Sequence, residues 1–584
     1  MTRLDSVRAA VRSEGLDGFI VPRADEHLGE YVPPAAERLA WLTGFTGSAG
    51  LAIVLATRAA VFTDGRYTLQ LEQEADVALW ERCHITETPP AAWLKANAPA
   101  GARIGYDARL ISEEALARFA ESGVTLVAAA NPIDAVWSDR PPPPAAPALP
   151  QPLAYAGQDS AEKRALLAAK LTRAGQDAAV LSDPHAIAWL LNIRGADLDY
   201  TPVALADALL HADGRVDLFI DPAKLPEGTR AWLGNSVAVA APERLGAALD
   251  ALAGRRVRVD PAGTPAWFAQ RLRAAGAEVV AGPDPCLLPK ACKNAAEQAG
   301  ARAAHGRDAI AVCRLLAWLE TGAAGATELS TADRLLGFRR ELPGFRGESF
   351  PAIAGAGEHG AIIHYRATAT SNRALRPGEV FLIDSGAQYE DGTTDVTRTV
   401  WIAPGTPDAA LRERYTRVLK GHIALAALVF PEGIAGPHID GFARAALWRA
   451  GLDYDHGTGH GVGSFLSVHE GPAGISRAAR MVPLAPGMIL SNEPGFYLPG
   501  RYGIRLENLL LVRREEMPDA SRPFLGFETL TLAPFDRRLL APALLDATER
   551  AWLDTYHARV LAAVGPQVDP ATKGWLAAVC APLS

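Results

Sequence analysis

The chain is short of cysteine: five residues in 584, an odd number, with no CxxC pair among them. That excludes a disulfide frame and a zinc ribbon. Cys83, Cys286, Cys292, Cys313 and Cys580 read as free thiols in a reducing compartment. No apolar run reaches the ~18 residues a spanning helix needs, so no membrane segment is expected. The first stretch, residues 1–22, carries Asp5 and Glu14 and no apolar signal core. A secretory or transit peptide is therefore not expected, and the cytoplasm is the expected compartment. An excess of positive charge is also lacking. Lys and Arg number 58 against 66 Asp and Glu, for a net charge of -8. This argues against a broad nucleic-acid surface. What the sequence does have is core material, with 49% hydrophobic and 21% charged residues. That excludes a mainly disordered protein and suits three to four domains of ~150 residues each.

The proline-rich run after Arg140, PPPPAAPALPQP, is extended and cannot join a helix or a central strand. It separates two segments that look alike. In residues 6–21 a helical pattern gives way to Gly15-Leu-Asp-Gly and then Phe19-Ile-Val. In residues 163–181 a helical pattern gives way to Gly175-Gln-Asp-Ala and then Ala179-Val-Leu. Trp41-Leu-Thr-Gly answers Trp189-Leu-Leu-Asn, and Asn131-Pro-Ile-Asp answers Pro283-Asp-Pro-Cys. We expect two related α/β domains from a duplication, residues 1–150 and 151–288. Lys290-Ala-Cys-Lys then reads as a solvated boundary. A long alanine-rich helix is expected from Asn294 to Thr321, with Gly322 as its stop. Residues 289–520 form a third domain. Its short strands alternate with turns and are broken by helices near Pro407–Phe430 and Pro437–Gly451. A mostly helical extension, residues 521–584, is expected to follow, helical from about Glu528.

Seven of the 13 histidines fall between His359 and His469, a stretch of about 111 residues. Imidazole ligates metals and moves protons near neutral pH, which marks the third domain as the chemical one. Val380-Phe-Leu-Ile-Asp384 is an apolar strand ending in a carboxylate, a group too costly to bury alone. Thr393-Thr-Asp395-Val-Thr-Arg-Thr-Val reads as the next strand, with Asp391-Gly392 as the turn between. His456-Gly-Thr-Gly-His460-Gly-Val-Gly has histidines four apart, but its glycines oppose a helix, and the Glu of a zinc-protease helix is absent. Met488-Ile-Leu-Ser-Asn-Glu493 is another strand ending in a carboxylate. Tyr502-Gly-Ile-Arg505-Leu-Glu507-Asn-Leu-Leu-Leu-Val reads as one strand, whose period of two puts Arg505 and Glu507 on one face. His359, His422 and His438 read as core or surface residues.

Asp384, Asp395, His460, Glu493 and Glu507 make four carboxylates and one imidazole. They would repel one another without cations. Two divalent ions bridged by carboxylates answer this, held ~3.5–4 Å apart so that one water spans them and loses a proton. The oxygen-rich set favours Mn, Co, Fe or Zn over a thiolate-type site.

With these motifs the sequence resembles the pita-bread metallopeptidases, specifically the three-domain Xaa-Pro aminopeptidases. Further marks are Gly44-Phe-Thr-Gly-Ser-Ala-Gly, Thr63-Asp-Gly-Arg66-Tyr, Gly360-Ala-Ile-Ile-His364-Tyr, His469-Glu-Gly-Pro and Arg505-Leu-Glu507-Asn. The resemblance implies two creatinase-N-terminal-like α/β domains, a pita-bread catalytic domain and a C-terminal extension. It implies a hydrolase that releases the first residue of peptides with proline second, by attack of a metal-bridging hydroxide. It implies two divalent ions per subunit, Mn(II) before Co(II), Zn(II) or Fe(II). Asp384 corresponds to a ligand of one ion, Asp395 and Glu507 to bridging carboxylates, and His460 and Glu493 to ligands of the other. Glu493 also corresponds to the residue that handles the water's proton. His364 and His469 correspond to peptide-contacting histidines, His469 being suited to the tetrahedral intermediate. His456 corresponds to a histidine near the proline pocket, and Arg66 to a peptide-binding position. Arg505 joins the substrate-binding candidates. A homodimer is implied, and no nucleic acid or membrane partner is expected. Prolidase uses the same ligands, but the second α/β domain and the tail point to the aminopeptidase form.

Overall fold

The computed structural model describes residues 2–323 and 325–583. They form two compact units, Met1–Leu287 and Leu288–Ser584.

The first unit holds two mixed six-stranded sheets. Helix α1 (Arg3–Ser13) opens it, its first turn closed by a capping box between Thr2 and Asp5. The strands of the first sheet are β1 (Gly18–Pro22), β2 (Leu51–Leu55), β3 (Ala59–Thr63), β4 (Glu81–His84), β5 (Arg103–Tyr106) and β6 (Thr125–Ala128). Their order is β4-β3-β2-β1-β5-β6. The second sheet follows helix α2 (Ser160–Arg173). It comprises β7 (Ala178–Leu181), β8 (Asp207–His211), β9 (Val216–Phe219), β10 (Val237–Ala240), β11 (Arg256–Val259) and β12 (Glu278–Ala281), in the order β10-β9-β8-β7-β11-β12. Position for position the two sheets have the same connectivity. In each, the first strand pairs antiparallel with the second and parallel with the fifth. The related tetrapeptides also correspond: Gly44 (φ 82°) and Asn192 (φ 50°) each end a helix in the left-handed region, which glycine and asparagine tolerate best. The end of the proline-rich run is extended, as expected, and Leu149–Pro150 pairs along Ile193–Arg194.

The second unit begins with helix α3 (Ala295–Gly322), 28 residues long, started by a capping box between Asn294 and Glu297. Helix α4 (Glu328–Arg340) follows, which the sequence pattern had not singled out. Three antiparallel strands then pair as β13-β14-β15: β13 (Ile353–Ala356), β14 (Val380–Ser385) and β15 (Val396–Trp401). All six residues of β14 and all six of β15 are buried, so both faces of these strands are covered. The second sheet runs β16-β23-β22-β19-β17-β18. Its strands are β16 (Phe430–Pro431), β17 (Gly459–Gly461), β18 (Glu470–Ile475), β19 (Ile489–Asn492), β22 (Asn508–Glu515) and β23 (Phe524–Thr529). Between β19 and β22 lies a hairpin of β20 (Gly495–Leu498) and β21 (Tyr502–Arg505). Helices α5 (Ala409–Ala426) and α6 (Gly436–Trp448) pack in the same unit.

Two expectations need correction. The stretch from Tyr502 to Val512 is not one strand: it leaves the hairpin at Arg505 and enters the six-stranded sheet at Asn508. The break is filled by backbone bonds from Leu506 N–H to Pro494 O (3.2 Å) and from Glu507 N–H to Thr397 O (3.1 Å). The extension is α-helical only from α7 (Ala547–Val564) and α8 (Pro570–Val579) onward, after two short 3-10 turns, because the chain around Glu528 still belongs to β23. No described helix is long and apolar enough to cross a membrane.

Candidate metal centre

The ends of two antiparallel ladders set the site. Asp384, on β14, lies opposite Thr397 on β15, and Asp395 is the residue just before β15. The β19–β22 ladder reaches the pair Asn492↔Asn508. Glu493 leaves that pair and Glu507 enters it, so the two glutamates emerge together at one end of the sheet. His460 is the middle residue of β17. Its flanking glycines are dictated by packing. A Cβ on Gly459 would sit 2.0 Å from Ser491 O, and one on Gly461 would sit 2.1 Å from Glu470 O.

Ligand atoms of Asp395, His460 and Glu507 lie within 4.8 Å of one another. His460 Nε2 is 3.5 Å from Asp395 Oδ2 and 3.5 Å from Glu493 Oε1. His460 Nδ1 lies 3.0 Å from the carbonyl of Gly461, an atom that can only accept. In the neutral ring the proton therefore sits on Nδ1, and Nε2 offers its lone pair to the carboxylate cluster. Burial works against a charged His460, yet Asp395 and Glu493 prevail and raise it to about 9. Burial pushes the carboxyls of Asp384 and Glu493 up, and that of Glu507 well above the ordinary range, with neighbouring carboxylates adding to each. Asp384 Oδ1 and Asp395 Oδ1 are buried without a hydrogen-bond partner. Hard carboxylate oxygens, one imidazole nitrogen and orphaned anionic oxygens fit divalent cations.

The residues around this set orient it. Thr397 Oγ1 donates to Glu507 Oε2 (2.7 Å), and Ser491 Oγ donates to Glu493 Oε1 (2.9 Å). Arg505 is buried and committed: Nη2 donates to Asp384 Oδ2 (2.6 Å) and Nη1 to the Tyr497 hydroxyl (2.7 Å). That hydroxyl, held up at about 12 chiefly by burial, lies 2.9 Å from His456 Nε2. His456 Nδ1 faces the carbonyl of Gly457 at 2.8 Å, so in the neutral ring Nε2 accepts from Tyr497. Fully buried Arg398 donates to the carbonyls of Glu507 (2.6 Å) and Thr397 (2.8 Å), and also to Ala533 O and Tyr556 Oη in the extension.

The histidines divide. His469 meets His460 edge to face, with ring centroids 4.4 Å apart. His364 lies on a loop stapled by buried Glu328, which accepts from Ala356 N (2.9 Å), Tyr365 Oη (2.9 Å) and Arg373 N (3.1 Å). His359 also binds Glu328, His438 accepts from Ala435 N, and His422 is core. Arg66 belongs to the first unit, whereas the five candidate ligands are all in the second. Its guanidinium pairs with Asp64 (2.8 Å) and lies over Tyr67.

Sequence reasoning missed Thr397, Arg398, Ser491 and Tyr497. It also misread Lys290 and Lys293, which are 4% exposed and not solvated. Both pair with Glu470, Lys290 at 2.8 Å. Local spacing gave no signal for this, because the short helix that carries Lys290 ends at Ala291, before Lys293.

Comparison with known proteins agrees with this architecture throughout the chain. The model of metallopeptidase family M24 matches residues 299–514, and that of its C-terminal region matches 523–583. Models of the creatinase/prolidase N-terminal domain match 3–136 and 139–297. These matches define the class: an M24 metallopeptidase with a pita-bread domain behind two creatinase-type α/β domains. Aminopeptidase P2 of Arabidopsis thaliana is 39% identical, covering 98% of this chain and 87% of its own. A probable Xaa-Pro aminopeptidase P of Laccaria bicolor is 39% identical over 100% and 93%. The crystal structure of an X-prolyl aminopeptidase from Caenorhabditis elegans, described as a cytosolic enzyme with a di-nuclear active site, superposes with a TM-score of 0.94. It has 33% identity and covers 100% of this chain and 99% of that one. A prolidase from Thermococcus sibiricus, 22% identical with a TM-score of 0.53 over 65% of this chain and 98% of its own, shares the fold. The chain belongs to the Xaa-Pro aminopeptidase P family.

Proposed function

We propose that this protein is a metal-dependent aminopeptidase that hydrolyses the first peptide bond when proline is second. The observation that carries the reading is the gathering of the Asp395, Glu493 and Glu507 carboxylates about His460, with buried orphaned oxygens on Asp384 and Asp395, in a chain that matches aminopeptidases P over its whole length. Asp384, Asp395 and Glu507 would hold one divalent ion; Asp395, Glu507, His460 and Glu493 would hold a second. When bound, such a pair would supply Lewis-acid chemistry, polarising the scissile carbonyl and acidifying the attacking water.

The chain's own groups do the rest. Glu493 takes the proton of the attacking water, and Ser491 fixes its Oε1. An Xaa-Pro bond is a tertiary amide whose nitrogen must gain a proton as it leaves, and Glu493 returns the proton there. His469 faces the developing oxyanion as a donor. His364 and His456 bracket the peptide, His456 held in one tautomer by Tyr497 and Gly457. Arg505 acts on Asp384 and Tyr497 from within the wall, a positioning role, in place of the direct peptide contact expected of it. Arg66 is assigned to peptide binding from the resemblance. We assign Mn(II), a cytoplasmic setting and a homodimer on the oxygen-rich donor set and on the family likeness. The Caenorhabditis elegans enzyme being described as cytosolic supports the setting.

The test of specificity is a pair of tripeptides differing only at position two. The Mn(II)-loaded enzyme is expected to release the first residue at least a hundredfold faster when that position is proline than when it is alanine. Equal rates would refute the proline assignment.

A further inference from the structure

Two lysines and one glutamate are locked together beside the active-site histidines. Lys290 and Lys293, from the start of the second unit, both pair with Glu470. Their side chains are 4% and 2% exposed, and that of Glu470 is 2% exposed. An ion cluster so buried costs as much in lost hydration as it returns, and apolar residues of similar volume would fold at least as well. Folding alone therefore gives little reason for this arrangement.

Its position offers one. Glu470 begins β18 and lies opposite Gly461 of β17, at the point where the register of that pair shifts. The Gly461 carbonyl orients His460, and the residue before Glu470 is His469, whose ring meets that of His460 at 4.4 Å. The Glu470 backbone thus sits between the two histidines, paired with Gly461 on one side and joined to His469 on the other, and two cations hold the Glu470 side chain in place. We infer that Glu470, clamped by Lys290 and Lys293, is the positioning residue for His469, setting the imidazole where it meets the substrate. This rests on the aminopeptidase reading and on the role of His469 within it.

The test compares fully metal-loaded variants in two backgrounds. The apolar triple variant K290M/E470M/K293M is expected to keep its metal content and its unfolding midpoint. Its turnover on an Xaa-Pro-Xaa tripeptide should fall roughly ten- to a hundredfold, the usual cost of disturbing a group that orients the site. In a His469→Ala background the same triple change should alter turnover less than about twofold, because two changes acting through one group do not add. Glu470→Gln, read in the same two backgrounds, serves if the triple variant does not fold. An undiminished turnover of the triple variant, or an equal loss in both backgrounds, overturns the inference while leaving the aminopeptidase reading intact. A His469→Ala enzyme with wild-type turnover overturns it by removing the assigned role of His469.

Discussion

Asp395 and Glu507 carry the charge problem of the centre most sharply. Burial drives the Glu507 carboxyl well above its ordinary range, with Asp395, Glu493 and Asp384 adding to it, and Asp395 keeps an orphaned oxygen. Asp395→Asn and Glu507→Gln are each expected to lose bound metal and at least ~99% of turnover together, measured as metal per chain by atomic emission beside tripeptide hydrolysis. Either variant keeping both would refute the bridging assignment. The apolar-run signal that marked Asp384 and Glu493 did not mark these two; their bridging role was legible only through the resemblance to the metallopeptidases. Thr397 and Arg398 were not legible. They sit in an ordinary run of β-branched residues, and only the covering of both strand faces turns their polarity into bonds to Glu507. Lys290 and Lys293 were misread for a related reason: lysine is nearly always exposed, and its burial depends on Glu470, some 180 residues away.

Individual strands were legible from their apolar runs, but their register was not. The break between β21 and β22 follows from backbone partners on other elements, Pro494 and Thr397, which no local period encodes. The glycines around His460 were legible as a tight backbone, and the structure supplies the reason. Gly461→Ala is expected to force β17 from β18, cost about 1–3 kcal/mol in chemical denaturation, and weaken metal binding through the displaced His460. An unchanged denaturation midpoint would contradict it. A pH effect belongs to α5 and α7. Burial lowers His422 and His557 to about 3. His557 Nε2 accepts from Phe535 N–H, and His422 Nδ1 faces Leu506 O while its Nε2 faces the Asn508 amide. Both rings are thus neutral when folded. Between the ordinary value of 6.5 and about 3, the unfolded chain binds protons that the folded chain refuses. Stability is therefore present above that window and drains as pH falls through it, by roughly 1.4 kcal/mol per pH unit for each ring. His557→Gln keeps an acceptor for Phe535. It should lessen the slope of stability against pH between 6 and 4 by about that one-ring amount. An unchanged slope would place the His557 titration elsewhere.

At the scale of the whole molecule the duplication was the most legible feature, because short matching stretches such as Trp41-Leu-Thr-Gly and Trp189-Leu-Leu-Asn recur at matching places. The two sheets now give it a topological form, strand for strand. The extension was legible as a helical tail but not as a support. Ala533 and Tyr556 accept from Arg398, which in turn holds the backbone of Glu507, so the last family segment braces a candidate ligand. On the proposed function, this assembled centre uses two metal ions to remove one residue from a proline-second peptide. The most direct measurement titrates Mn(II) into chelator-stripped protein while following bound metal and release of the first residue from an Xaa-Pro-Xaa tripeptide, with an Xaa-Pro dipeptide in parallel. The expected result is no turnover without metal, two ions bound per chain at saturation, and faster cleavage of the tripeptide. Full turnover in the stripped protein, or cleavage confined to the dipeptide, would contradict it.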